Sequence, residues 1–185
     1  MSYEIEDGYK IRNQSGLYFL TFTVVGWIDL LSRKLYRDIL LTNMQWCRAN
    51  KGLRVGAYVI MTNHMHIIWQ SERDNLSAII RDYKSFCTKQ MIAAIQREAE
   101  SRKEWLLYMF EFFANRSNRN KEFKIWTNDN HPEEIFSPDF MRSKMDYIHN
   151  NPVRAGFVEK AEDYLYSSAR NYYNGKGIFE VDYLI

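Results

Sequence analysis

Turn-forming residues are scarce in this 185-residue chain, which has eight glycines and three prolines. That content excludes a collagen-like or low-complexity protein and is too low for a sandwich of many short strands. Cysteine is nearly absent too. Cys47 and Cys87 stand 40 residues apart with no CxxC pattern, which points to a reduced, cytoplasmic protein and to no cysteine metal site. Long apolar runs are missing: the best candidate, Leu17 to Leu31, is broken by Thr21, Thr23, Gly26 and Asp29, so no membrane span is expected. Glu4, Glu6 and Asp7 precede any apolar stretch, the reverse of a secretory signal. An excess of either charge is lacking as well. Lys and Arg number 25 against 23 acids, a net +2, so net charge does not announce a nucleic-acid partner.

What is present is apolar and aromatic: 46% of the chain is hydrophobic, and 16% is Phe, Trp or Tyr. This excludes a disordered chain and is enough for one compact domain with its own core. After a polar lead-in over residues 1–16, LYFLTFTVV alternates threonine against apolar residues and reads as a strand. Ser32 opens a helical pattern through Leu35, Ile39, Leu40 and Trp46, with Gly52 where a C-terminal cap is wanted. Leu53 to Met61 and His64 to Gln70 read as two strands joined by a tight turn at Thr62-Asn63. Asp74 or Asn75 begins a helix showing Ile79, Ile80, Tyr83, Phe86 and Ile95 on one face. Residues 96–136 form an elaboration of helix and loop. Ser137-Pro138 is a helix start, and that helix is expected to end near Asn150 because Pro152 cannot continue it. The tail, residues 169–185, ends in GIFEVDYLI, which reads as a short terminal strand. The order predicts an α+β fold of antiparallel sheet and helices.

Two constellations carry chemistry. His64 and His66 are two apart on a strand, so both imidazoles leave the sheet on one side, while Met65, Ile67 and Trp69 take the other. A pair of imidazoles on one face can present a divalent ion, and spacing alone leaves zinc, manganese and magnesium open. Alternatively, both are hydrogen-bonded residues of the sheet. The second is YIHNNPVRAG: on a helix, Tyr147 and Asn151 share a face. A phenol is a poor nucleophile near neutrality, with an ordinary pKa of about 10, unless a cation draws charge from the phosphate it attacks. Otherwise Tyr147 is simply one of 13 tyrosines packed on the sheet.

Taken together, AYVIMTNHMHIIW (residues 57–69) and KMDYIHNNPVRAGFVEKAEDYLYSS (residues 144–168) resemble the REP-associated tyrosine transposases, relatives of the single-strand transposases of the simplest bacterial insertion sequences. The His-hydrophobic-His signature is His64-Met65-His66, and the tyrosine followed four residues on by Asn is Tyr147 and Asn151. The match also takes in Lys84 within YKSF. The resemblance implies a ferredoxin-like antiparallel sheet with helices packed on one face. It implies that His64, His66 and Asn151 bind Mg²⁺ or Mn²⁺, and that Tyr147 attacks a phosphate of single-stranded DNA bearing a hairpin. The tyrosine would stay joined to the 5′ side of the break, leaving a free 3′-hydroxyl. Lys84 and Arg154 are expected phosphate contacts. Thr62 departs from the family, which usually has Pro there.

The resemblance leaves both a monomer and a homodimer that exchanges tyrosine helices open. Two other functions compete: a domesticated, catalytically inactive protein that binds DNA hairpins, and a metal hydrolase using water. The second has no carboxylate obviously paired with the histidines by spacing.

Overall fold

The computed structural model describes residues 10–117 and 122–184. Residues 1–9 of the expected lead-in, residues 118–121 of the expected elaboration and the last residue of the expected terminal strand lie outside them. The strands are β1 (Tyr18–Thr23), β2 (Leu53–Ile60), β3 (His64–Ser71) and β4 (Glu133–Glu134). The helices are α1 (Lys34–Lys51), α2 (Leu76–Arg97), α3 (Lys103–Asn115), α4 (Pro138–Arg154) and α5 (Ala169–Asn174). Sheet order is β2-β3-β1-β4, with every pairing antiparallel. With α1 between β1 and β2, and α2 between β3 and β4, this is the βαββαβ arrangement of a ferredoxin-like α+β fold.

Period-two alternation divides the sheet. Leu20 and Phe22 of β1 and Met65, Ile67 and Trp69 of β3 join the main core, together with Leu40 and Met44 of α1 and Ile79, Tyr83 and Met91 of α2. Trp69 is fully buried and meets Phe22 and Tyr83 edge-on, with ring centroids 5.5 and 5.0 Å away, so it is worth the upper end of the burial scale. Cys47 and Cys87 are free thiols inside this core. The elaboration contributes α3, whose Leu106 and Phe110 extend it.

The opposite face carries a smaller cluster. Phe19, Ala57, Val59 and Ile68 meet Met141 and Ile148 of α4. Thus α1 and α2 cover one face, while α4 lies on the other over part of the sheet. A register shift in β2 between Val55 and Ala57 lets Val55 and Tyr58 both reach the main core while Ala57 and Val59 face α4.

Three local expectations need correction. α4 begins as the sequence dictates, with Ser137 Oγ accepting from the Phe140 N–H at 3.2 Å and Pro138 in the first turn, but it continues past Asn150 to Arg154 with Pro152 inside. Proline removes a single hydrogen bond, and here it does so within the final turn, where the chain is about to leave the helix anyway. Asn151 therefore keeps helical register with Tyr147. Residues 126–134 are more than loop: Trp126 bridges to Val24, and Glu133–Glu134 pair with Tyr18 and Phe19. The described part of GIFEVDYLI, residues 177–184, is not a strand. It reaches the sheet through Asp182, whose N–H donates to the Val55 carbonyl at 2.8 Å and whose carboxylate accepts from the Val55 N–H.

The free edge of β2 is occupied further along by residues 166–168. The Ile60 N–H donates to the Tyr166 carbonyl and the Ser168 N–H to the Tyr58 carbonyl, both at 2.9 Å. Ser168 Oγ accepts from the Tyr58 N–H at 2.9 Å and lies 2.9 Å from His149 Nε2. This fully buried hydroxyl ties α4 to β2 and so fixes the rotation of the helix that carries Tyr147. Burial holds the His149 imidazole down to about 4, so it is neutral in the folded state.

Ser168→Ala leaves the Tyr58 N–H without its partner in the interior and is expected to cost about 1–3 kcal/mol, measured by urea unfolding; an unchanged midpoint would show the tie to be dispensable. The unfolded chain protonates His149 near the usual 6.5, the folded chain only near 4. Its contribution to stability is therefore complete above pH 6.5 and declines as pH falls towards 4, by roughly 3 kcal/mol at most. His149→Gln should flatten that decline in unfolding measured at pH 7 and pH 5.

Candidate active site on the alpha4 face of the sheet

Antiparallel pairing of β1 with β3 sets Thr23 opposite His64 and Thr21 opposite His66. The two imidazoles share a face as their spacing requires, with ring centroids 4.8 Å apart. α4 crosses above them. The Tyr147 ring meets the His66 ring edge-on, with centroids 5.1 Å apart. Residues some eighty positions apart in the chain thus converge on one patch.

Beneath them lies Phe19. It stacks on His66 at 5.5 Å, meets Tyr147 edge-on at 5.9 Å, and carries the Lys144 ammonium 4.5 Å above its own ring. Lys144 is held there by both oxygens of Glu133, each at 2.7 Å. On the outer side, the Arg154 guanidinium lies 4.5 Å over the Tyr147 ring and donates to the Tyr147 carbonyl at 2.9 Å. Tyr147 is 40% exposed, so the residue is open to solvent. An open groove lined by Arg142, Asp146, Asn150 and Arg154 runs past it.

Hydrogen bonds orient both imidazoles. Asn63 Nδ2 donates to the Trp27 carbonyl at 3.3 Å, which can only accept. Its Oδ1 therefore faces His64 Nδ1, 2.7 Å away, and that nitrogen must carry the proton. His64 Nε2 is left with a lone pair. His66 Nδ1 lies 2.9 Å from Thr21 Oγ1. Burial pushes His64 below its usual value. Burial first, then the charges of His64, Arg154 and Lys144, push His66 down to about 3. Neutral imidazoles are what a divalent ion needs, and hydroxyl or amide partners on the far nitrogen hold metal-ligating histidines in position; the carboxamide fixes the tautomer at His64, while the Thr21 hydroxyl orients the His66 ring.

Asn151 lies one turn beyond Tyr147 on α4 and is half-buried. Among the described residues no cluster of three or more His, Cys, Asp or Glu could hold a metal. The donors the structure brings together are the two imidazoles; Asn151 shares the Tyr147 face of α4 one turn further on. An imidazole pair with an amide oxygen is a set that Mg²⁺ or Mn²⁺ could accept.

Arg154 stands beside Tyr147, whereas Lys84 stands elsewhere. On α2, its ammonium donates to the Thr127 carbonyl at 2.9 Å and to Asn130 Oδ1 at 2.6 Å. It lies 5.1 Å over the Phe22 ring, within the main core, and lines a cavity of about 250 Å³ between α2 and residues 123–130. It ties α2 to that loop, and the loop in turn bonds β1 through Asn130 and the Thr21 N–H. His131 is exposed and pairs with Asp129 at 3.4 Å. Phe19, Thr21, Asn63 and Lys144 escape sequence reasoning because their roles depend on strand register and on where α4 lands. Only Asn63 leaves a trace, as the residue before the histidine signature.

The tautomer assignment is directly testable. Imidazole ¹⁵N spectra near neutral pH should show His64 protonated at Nδ1, and Asn63→Ala should return it towards a mixture. A proton on Nε2 in the unaltered protein would overturn the assignment.

No protein-family model matches the chain, and neither does any curated protein. Among solved structures, a REP-associated tyrosine transposase bound to a REP hairpin is similar, with a TM-score of 0.64 at 21% identity, over 100% of this chain and 94% of that one. The chain has the fold of that transposase.

Proposed function

We propose that this protein is a metal-dependent endonuclease and strand-transferase of the REP-associated tyrosine transposase type, acting on single-stranded DNA that carries a hairpin. The observation that carries the reading is the meeting of His64, His66 and Tyr147 across two distant elements, on a fold shared with a hairpin-bound transposase.

Each residue has a definite task. His64 and His66, neutral and oriented by Asn63 and Thr21, would hold Mg²⁺ or Mn²⁺ together with Asn151. The ion, when bound, polarises the scissile phosphate and withdraws charge from it. Tyr147 Oη attacks phosphorus, and its proton passes to water, which reaches this exposed side chain. A bond forms between Oη and phosphorus as the bond from phosphorus to the 3′-oxygen breaks. That oxygen takes a proton from water and becomes a free 3′-hydroxyl, while the 5′ side remains linked to Tyr147. Arg154 supplies positive charge beside the phosphate and restrains the backbone at Tyr147. Phe19 and the Lys144–Glu133 pair keep the phenol edge-on to His66. The phosphotyrosine link conserves the energy of the broken bond, so rejoining to another 3′-hydroxyl needs no nucleotide cofactor.

Incubation with single-stranded hairpin DNA and Mn²⁺ or Mg²⁺ should yield a covalent protein–DNA adduct on a denaturing gel. Chelation should abolish the adduct, and Tyr147→Phe should abolish it while hairpin affinity stays within about threefold. Cleavage that persists in Tyr147→Phe would point to water as nucleophile. Tight hairpin binding with no adduct under any divalent ion would point to a binding protein.

A further inference from the structure

Just beyond β1 the chain exposes an aromatic side chain that the fold does not use. Trp27 is 66% exposed and sits at φ +56°, a left-handed conformation that an indole-bearing residue rarely adopts. Four contacts enforce that turn. Gly26 precedes it at φ +63° with the Phe113 ring packed so closely that a Cβ would lie 2.9 Å from it. The Val25 N–H donates to the Ile125 carbonyl at 2.8 Å, and the Trp27 carbonyl accepts from Asn63 Nδ2 at 3.3 Å. Two residues on, Asp29 accepts from the Thr62 hydroxyl at 2.7 Å. The result stands the indole at the rim of the histidine patch, edge-on to His64 with ring centroids 6.0 Å apart.

The other exposed tryptophans differ. Trp46 lies on the surface of α1, at ordinary helical dihedrals, against Phe86 and Lys51. Trp105 rides on α3. Only at Trp27 do exposure, enforced backbone and contact with a site residue coincide. The surface continues in the same chemistry: Phe113 over Gly26, Phe112 with its ring 5.5 Å from Phe113, and the Arg116 guanidinium 4.5 Å over Phe112. Aromatic faces interleaved with cations are how proteins hold unpaired nucleotides, because every base has a π-face.

We infer that Trp27 is a stacking platform for an unpaired nucleobase next to the phosphate held at His64 and His66. This rests on the strand-transferase reading for its ligand. Asn63 links the two functions mechanically, since one carboxamide orients His64 and holds the Trp27 carbonyl. A base stacked on Trp27 fixes the strand relative to the imidazole pair before Tyr147 is engaged.

The test uses two fluorescent ten-residue strands, oligo-dT and its fully abasic counterpart, with the full chain. Trp27→Ala should weaken oligo-dT binding roughly 10- to 100-fold, and Trp27→Phe should restore most of it. The abasic strand, which keeps every phosphate, should bind wild type and Trp27→Ala alike. Thermal unfolding of Trp27→Ala should match wild type, since the side chain is solvent-facing. Equal oligo-dT affinity in wild type and Trp27→Ala, or no preference of wild type for oligo-dT over the abasic strand, would overturn the inference. Binding of oligo-dT needs no cleavage, so the adduct assay fails or succeeds independently: base-dependent binding without an adduct keeps the platform and removes the transferase.

Discussion

The alternation of side chains along one strand is the constraint on which the rest of this structure depends. β3 must fill the main core with Met65, Ile67 and Trp69, all fully buried. Burying three such residues stabilises the fold by several kcal/mol, on the order of 1.5–3 for each. That fixes the strand's register against β1 and β2, because a slip of one residue would exchange the faces. His64 and His66 are thereby held on the other face with no freedom to turn away. The apolar residues position the imidazoles.

A face that carries two imidazoles cannot be covered entirely by apolar residues without stranding them. The structure resolves this by covering only part of it. Met141 and Ile148 of α4 pack on Phe19, Ala57, Val59 and Ile68, while Tyr147 meets the imidazole of His66 from the same helix. The helix is held in place by buried polar contacts at Ser168 and His149, on the β2 edge of the sheet rather than on β3 itself. Position is secured on one side of α4 while Tyr147, on another, stays open to solvent. Separating the contacts that support a helix from the side chains it exposes is what a preorganised site requires, and it is the arrangement the proposed function needs.

A second layer of hydrogen bonds does the same for orientation. Asn63 ends the turn that precedes β3, and its carboxamide bridges His64 to the backbone of Trp27. Thr21 reaches His66 from the neighbouring strand. The loop over residues 25–31 is pinned to that turn through Val24, Leu31 and Asp29, all bonded to Thr62 or Asn63. Backbone strain at Trp27 is thus sustained by contacts that also serve the histidines.

Strand alternation, the Ser137-Pro138 cap and the common face of His64 and His66 follow from local stereochemistry, so the amino-acid order by itself determined them. So did the α+β order of elements, because each carries its own period. Other features needed coordinates. Pro152 breaks helices in general but is tolerated in a last turn, and the penalty depends on the buried contacts that surround it. The fourth strand is two glutamates long, below any periodic signal, and exists because β1 offers an edge to residues 133–134. GIFEVDYLI has strand composition, yet its ladder position along β2 is shared with residues 166–168. The roles of Thr21, Asn63, Lys84 and Trp27 lie in partners distant along the chain. Only tertiary structure decides which of two similar polar side chains faces an imidazole and which closes a loop, because hydrogen bonding needs atoms within about 3 Å, and spacing along a sequence does not supply that distance.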